Sequence, residues 1–301
     1  MEFKTIEQLV QLAVHAGVSI SEVMIREEMA ASDHTREHVI SRMLAHLETM
    51  EQAVERGLTE DIRSHSGLTG GEGKRLHAYA AGGNTVSGRK MLNAVSRAIA
   101  TNEVNAAMGT IVATPTAGAC GVIPGCLFGL APELGVSREE MVRFLFTSGA
   151  IGMVIANQSF ISGAAGGCQA EVGSASAMAA GAVVELAGGT PEQSAEAVAI
   201  ALKNTLGLVC DPVAGLVEVP CVMRNAMGAA NALVAADLAL AGVRSVIPAD
   251  EVIAAMYRIG QAMPNTLKET AMGGLADTPT GRKIKDRLFG DPPPSGSIRE
   301  E

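Results

Sequence analysis

Three cysteines, Cys168, Cys210 and Cys221, are the side chains best equipped for chemistry in this chain, and they are spaced C-x41-C-x10-C. A thiolate serves as a nucleophile, a redox group or a soft metal ligand. The spacing matches neither a ferredoxin run nor the paired C-x-x-C of a zinc knuckle. Taken alone, it fits three cysteines buried as small hydrophobes better than it fits a site. The flanking residues point the other way. Cys168 follows Gly166-Gly167 and precedes a helix, Cys210 closes a helix before Asp211-Pro212, and Cys221 follows Pro220 and opens another helix. Helix N-termini favour thiolate, and irregular backbone offers N–H groups to sulfur. Three thiolates on a four-iron cluster would leave one iron open to polarise a substrate oxygen.

Helices must position these groups. Aromatic residues make up only 3% of the chain and Trp is absent, so the core has to be built from Ala, Val, Leu, Ile and Met, with 34 Gly permitting close backbone approach. That composition suits packed helices better than a β-sandwich. Capping-box patterns start at Thr5, Ser19, Ser137 and Thr190, the last with Pro191 at the first helical position. Periodicity predicts helices over residues 34–56, 87–107, 137–156, 172–188, 191–208, 221–241 and 249–262, with few strand signals. The expected fold is mainly α. Residues 1–60 form an N-terminal amphipathic helical segment, 61–290 a single large glycine-rich helical catalytic domain, and 291–301 a flexible tail.

Charge and cysteine usage narrow the function classes. The net charge of −9 argues against nucleic acid or an anionic membrane surface as partner. Five cysteines with no secretory leader favour cytoplasmic thiols over a disulfide framework. Val104 to Pro132 and Phe144 to Ala170 carry no charge and are long enough to span a bilayer. Both are punctuated, by Pro115, Pro124 and two cysteines in the first and by Asn157, Gln158 and Ser162–Gly167 in the second. Lipid-facing backbone does not tolerate such breaks. The expectation is no membrane, and a buried glycine-rich centre that lines a site.

Four stretches carry a resemblance: Ala100-Thr-Asn-Glu-Val-Asn-Ala106, Ala113-Thr-Pro-Thr-Ala-Gly118, Ser162-Gly-Ala-Ala-Gly-Gly-Cys-Gln-Ala-Glu-Val-Gly-Ser174, and Gly207-Leu-Val-Cys-Asp-Pro-Val-Ala-Gly-Leu-Val-Glu-Val-Pro-Cys221. From Leu9 to about Gly290 the chain resembles the α subunit of two-chain, iron–sulfur-dependent L-serine dehydratases. The resemblance implies a [4Fe–4S] cluster on Cys168, Cys210 and Cys221. It also implies deamination of L-serine to pyruvate and ammonia, and a β subunit with an ACT-type domain and a Ser-Ser-His-Thr substrate loop. No such loop occurs here, Ser64-His65-Ser66 being the nearest string. Cys120 and Cys126 depart from the small residues usual in the family and are read as core thiols.

The rest of a site is only sketched by the sequence. His65, His77 and Asp211 are candidates for proton transfer, each equally readable as a surface, structural or turn residue. Thr69, Gly70, Gly71, Thr114 and Thr116 are candidate donors to a substrate carboxylate, or ordinary turn residues. A pyridoxal-phosphate enzyme is disfavoured because neither Lys74 nor Lys203 has a Schiff-base setting. The rival on the same scaffold is an iron–sulfur L-cysteine desulfidase. Outside enzymes, the alternatives are a membrane transporter or an inactive scaffold.

Overall fold

The computed structural model describes residues 3–290, so the expected tail at 291–301 lies outside the described residues. Thirteen α-helices follow one another among them: α1 (Ile6–Ala16), α2 (Ile20–Ser32), α3 (Arg36–Thr59), α4 (Glu72–Ala81), α5 (Arg89–Ala106), α6 (Val122–Leu134), α7 (Arg138–Gln158), α8 (Gly163–Gly166), α9 (Ser174–Leu186), α10 (Pro191–Lys203), α11 (Cys221–Leu240), α12 (Ala249–Ala262) and α13 (Pro279–Phe289). No strand is present among the described residues, only one isolated bridge between Cys210 and Lys268. The mainly α expectation holds.

The local starts follow the sequence. Ser137 and Thr190 form complete capping boxes with Glu140 and Gln193. Thr5 and Ser19 cap α1 and α2 in one direction only. Glu22, the would-be reciprocal partner of Ser19, instead takes both guanidinium nitrogens of Arg36, at 2.9 and 2.7 Å. A charge-assisted bidentate pair outcompetes a neutral backbone N–H.

Helix α9 is the axis of the fold. Ser174 through Val184 are all buried, and α6, α7, α10 and α11 pack around it. A helix of Ala, Gly, Ser and Met is apolar on every side and must be surrounded. Small residues also bring α5 and α6 together, since a Cβ at Gly125 would lie 2.7 Å from Ala98 Cβ. One hydrophobic core runs from Phe3 to Met256, including Leu9, Ile25 and Leu47 of the first three helices.

The periodicity gave no sign of α4, α6 or α13. Of the two prolines expected to break this stretch, Pro115 precedes α6 and Pro124 lies in its first turn, where an absent N–H breaks no helical bond, while Pro132 is accommodated inside the helix near its end. The stretch Ala117–Leu134 has the length and mean hydropathy, 1.4, of a membrane span, yet 72% of it is buried inside the fold. Its apolar surface serves the core.

Candidate metal centre

Three irregular segments meet at one end of α9. The first is the turn Gln169–Gly173, a π-helical turn directly after Cys168 that runs into α9. Single π-helical turns widen a helix and recur at functional sites. Gln169 fixes this one, since its side chain donates to Met256 O at 3.0 Å and accepts from Gly207 N–H at 2.9 Å. The second is the loop from Gly207 to Pro220. Here Cys210 is not the end of a helix, because α10 stops at Lys203. It sits in extended pairing instead, its N–H donating to Leu267 O and its C=O accepting from Glu269 N–H at 2.9 and 2.7 Å. The third is the start of α11, whose first residue is Cys221, as expected.

Cys168, Cys210 and Cys221 are all buried and none forms a disulfide. The neighbouring Cys210 thiol holds the Cys168 thiol below its ordinary value, with the Arg224 guanidinium adding to the effect against burial. The same sharing pushes Cys210 up. Burial first, then the Cys168 charge, takes Cys221 up to about 12. Metal ions bind thiolates, so occupation of such a pocket displaces these protons. The other two thiols serve the core: burial pushes Cys120 and Cys126 to about 12. Cys120 accepts from Asn102 Nδ2 at 3.6 Å and Cys126 donates to Ala229 O at 3.7 Å.

Two carboxylates join the cysteines. Ligand atoms of Glu171, Cys210 and Glu269 lie within 4.8 Å of one another. Glu171 accepts from Thr116 Oγ1 at 2.8 Å and from the Cys210 thiol at 3.8 Å, and burial raises its pKa. Glu269 lies nearer the surface than Glu171 and is held at φ +61°. Gly163 packs directly over the pair: a Cβ there would stand 2.7 Å from both Cys210 Sγ and Glu171 Oε2. Sequence reading missed both acids as site residues. Glu171 did leave a signal, as the first charge after the uncharged run Phe144–Ala170.

The remaining sequence candidates are distributed differently. Asp211 has both oxygens engaged, Oδ1 by Arg224 at 2.7 Å and Oδ2 by Leu275 N–H at 2.8 Å. His65 is exposed on the loop before α4, whose Ser66 hydroxyl reaches Glu218 in the cysteine loop at 2.5 Å. His77 lies among Arg97, Glu55 and Arg89, where burial lowers its pKa, and its Nδ1 is buried without a partner. Thr69 and Gly70 already donate to Glu72 Oε2, at 3.1 and 2.6 Å, and Gly71 precedes α4 at φ +80°. Thr116 is held by Glu171, whereas Thr114 Oγ1 is buried with no partner. The structure therefore brings together the three cysteines, Asp211, Thr116 and, through Ser66, the rim bearing His65.

Comparison with known proteins adds the following. The profile of the family described as serine dehydratase alpha chain matches residues 15–276. The chain is 61% identical over 288 residues to the probable L-serine dehydratase, alpha chain, of Bacillus subtilis (strain 168), covering 96% of each protein. It is 42% identical over 281 residues to the L-serine dehydratase, alpha chain, of Peptoniphilus asaccharolyticus, covering 93% of this chain and 96% of that one. It is 37% identical to L-serine dehydratase 1 of Escherichia coli (strain K12), where the match takes in 91% of this chain but 61% of the relative.

Proposed function

The chain belongs to the serine dehydratase alpha-chain family, and from that premise we propose that it is the α chain of an L-serine dehydratase, releasing pyruvate and ammonia from L-serine. The observation that carries this reading is three buried thiols in mutual reach, Cys168 beside Cys210 and charge-coupled to Cys221, with Gly163 packed directly against Cys210 and Glu171. Three cysteine sulfurs suit an iron–sulfur cluster. Cys168, Cys210 and Cys221 would hold a [4Fe–4S] cluster, which when bound supplies a Lewis acid for the serine hydroxyl.

The chain's own residues supply binding and positioning. Glu171 and Glu269 present carboxylates to the substrate ammonium, and the unpartnered Thr114 hydroxyl is available to its carboxylate. Asp211 has no free oxygen and His77 lies among arginines, so neither is available to take the α-proton. His65, on the rim next to Ser66 and Glu218, is the candidate left on this chain, and the substrate loop of a second chain is the other source. Relatives called alpha chain match this one end to end, whereas the E. coli relative, called L-serine dehydratase 1, extends well beyond it. The additional length fits a β chain, with an ACT-type domain and the substrate loop, as a separate partner here. The burial of Ala117–Leu134 speaks against a transporter, and free cysteines without a disulfide fit a cytoplasmic enzyme.

The test is anaerobic co-production with a β chain and assay with L-serine and L-cysteine. Pyruvate with ammonia from serine, only when both chains are present, supports the proposal. Sulfide release from cysteine with no serine turnover would favour the desulfidase.

A further inference from the structure

Arg224 is the only charged residue between Glu218 and Asp237, and it is half-buried, with its side chain 14% exposed. It lies three residues after Cys221 on α11, on the same helix face. Its two terminal nitrogens reach around Cys210: Nη1 donates to Val209 O at 2.7 Å and Nη2 to Asp211 Oδ1 at 2.7 Å. Those acceptors belong to the residues immediately before and after Cys210. The planar fork of a guanidinium can hold both at once, which an ammonium cannot. Asp211 passes the connection on, accepting Leu275 N–H with its other oxygen at 2.8 Å. Leu275 belongs to the segment from Met263 to Asp277 that also pairs with the Cys210 backbone and carries Glu269. The same guanidinium sits beside the Cys168 sulfur.

We propose that Arg224 is the positioning residue of the cysteine site: it ties the Cys210 loop to the Cys221 helix and lays a compensating positive charge beside the three sulfurs, while Asp211 fixes that charge and fastens the Met263–Asp277 segment over the site. This rests on the iron–sulfur reading. A purely structural ion pair would be a different arrangement, because either half could then be neutralised with the same consequence. Here the two halves act on the cluster with opposite sign. Removing the cation makes an added electron less favourable, and removing the anion makes it more favourable.

The experiment uses the anaerobically prepared two-chain enzyme, with the cluster's reduction potential measured by mediated titration and electron paramagnetic resonance. At the wild-type midpoint potential, Arg224→Gln should lower the reduced-to-oxidised ratio at least tenfold, about 59 mV for a one-electron couple, and Asp211→Asn should raise it. Arg224→Lys keeps the charge, so its ratio should stay within threefold of wild type. It loses the fork, so limited proteolysis within Met263–Asp277 should accelerate. If Arg224→Gln does not assemble a cluster, the Asp211→Asn and Arg224→Lys results carry the test. Unchanged ratios, or shifts of the same sign in Arg224→Gln and Asp211→Asn, overturn the inference with the iron–sulfur reading intact. A wild type without iron and sulfide overturns that reading and the inference with it.

Discussion

Adding one methyl group at Gly163 probes the site more selectively than removing a ligand. A Cβ there would sit 2.7 Å from Cys210 Sγ, 2.7 Å from Glu171 Oε2 and 3.2 Å from Cys210 Cβ. Comfortable contact begins near about 3.5 Å, so the Cys210 sulfur and the Glu171 carboxylate must retreat by roughly 0.8 Å from positions defined by both neighbours. Neither retreats freely. Cys210 is pinned by backbone pairing to Leu267 and Glu269, and Glu171 by Thr116. Overpacking of this kind costs about 1–3 kcal/mol, a fall in Tm of several degrees and not an unfolded protein. Displacing reacting groups by about 1 Å can cost on the order of 10²-fold in rate. Gly163→Ala should therefore keep its circular dichroism, lose cluster iron and lose roughly 10²-fold in kcat/KM. Gly149→Ala is the control: its Cβ would meet nothing within 4 Å inside α7, and helix propensity predicts a gain of about 0.5–1 kcal/mol. Full iron and full activity in Gly163→Ala would refute the placement of the site.

Other perturbations have equally direct readouts. Glu269→Gln, with iron content unchanged, should raise KM for L-serine about tenfold if its carboxylate meets the ammonium, the worth of about 1.4 kcal/mol; an unchanged KM removes it from binding. Glu103 is buried and receives the N–H groups of Glu72 and Gly73 at 2.7 and 3.1 Å. Burial, with the neighbouring Glu72, raises its pKa to about 8, while Glu72 is lowered to about 2 by its hydrogen bonds to Glu103 and to the Gly70 N–H despite burial. For Glu72 the folded chain binds its proton less tightly than the unfolded chain, so stability grows from about pH 2 to 4.5. For Glu103 the sign reverses, and stability falls as pH rises from 4.5 to about 8. Thermal melts of wild type should decline across that upper interval, and Glu103→Gln should flatten the decline; parallel slopes would contradict the assignment. Cys120→Ala should retain iron and cost only packing stability, since that thiol is enclosed in the core.

The legibility of the fold in the sequence was uneven for physical reasons. Capped, periodic helices such as α7 and α10 were readable because local signals and tertiary burial agree. Helix α6 was not, because Pro and Gly read as breaks while the fold uses their small profiles and first-turn position for close packing. The three cysteines could be singled out from their Gly and Pro neighbours, but spacing alone could not join residues this far apart in sequence. Glu171 and Arg224 each stand as a lone charge in an apolar stretch, a signal that marks them without saying what they touch. Glu269 left no mark at all, since it reaches Cys210 through backbone pairing that no sequence pattern announces. Asp211, a candidate for proton transfer on sequence, holds Arg224 and Leu275 instead.

The central claim is that Cys168, Cys210 and Cys221 together hold the cluster. Its most direct test is anaerobic iron and acid-labile sulfide analysis of wild type beside Cys168→Ala, Cys210→Ala, Cys221→Ala and Cys120→Ala. About four irons and four sulfides per chain are expected in wild type and in Cys120→Ala, with the intact cluster lost from each of the other three. A full complement of iron and sulfide in any one of those three would contradict it.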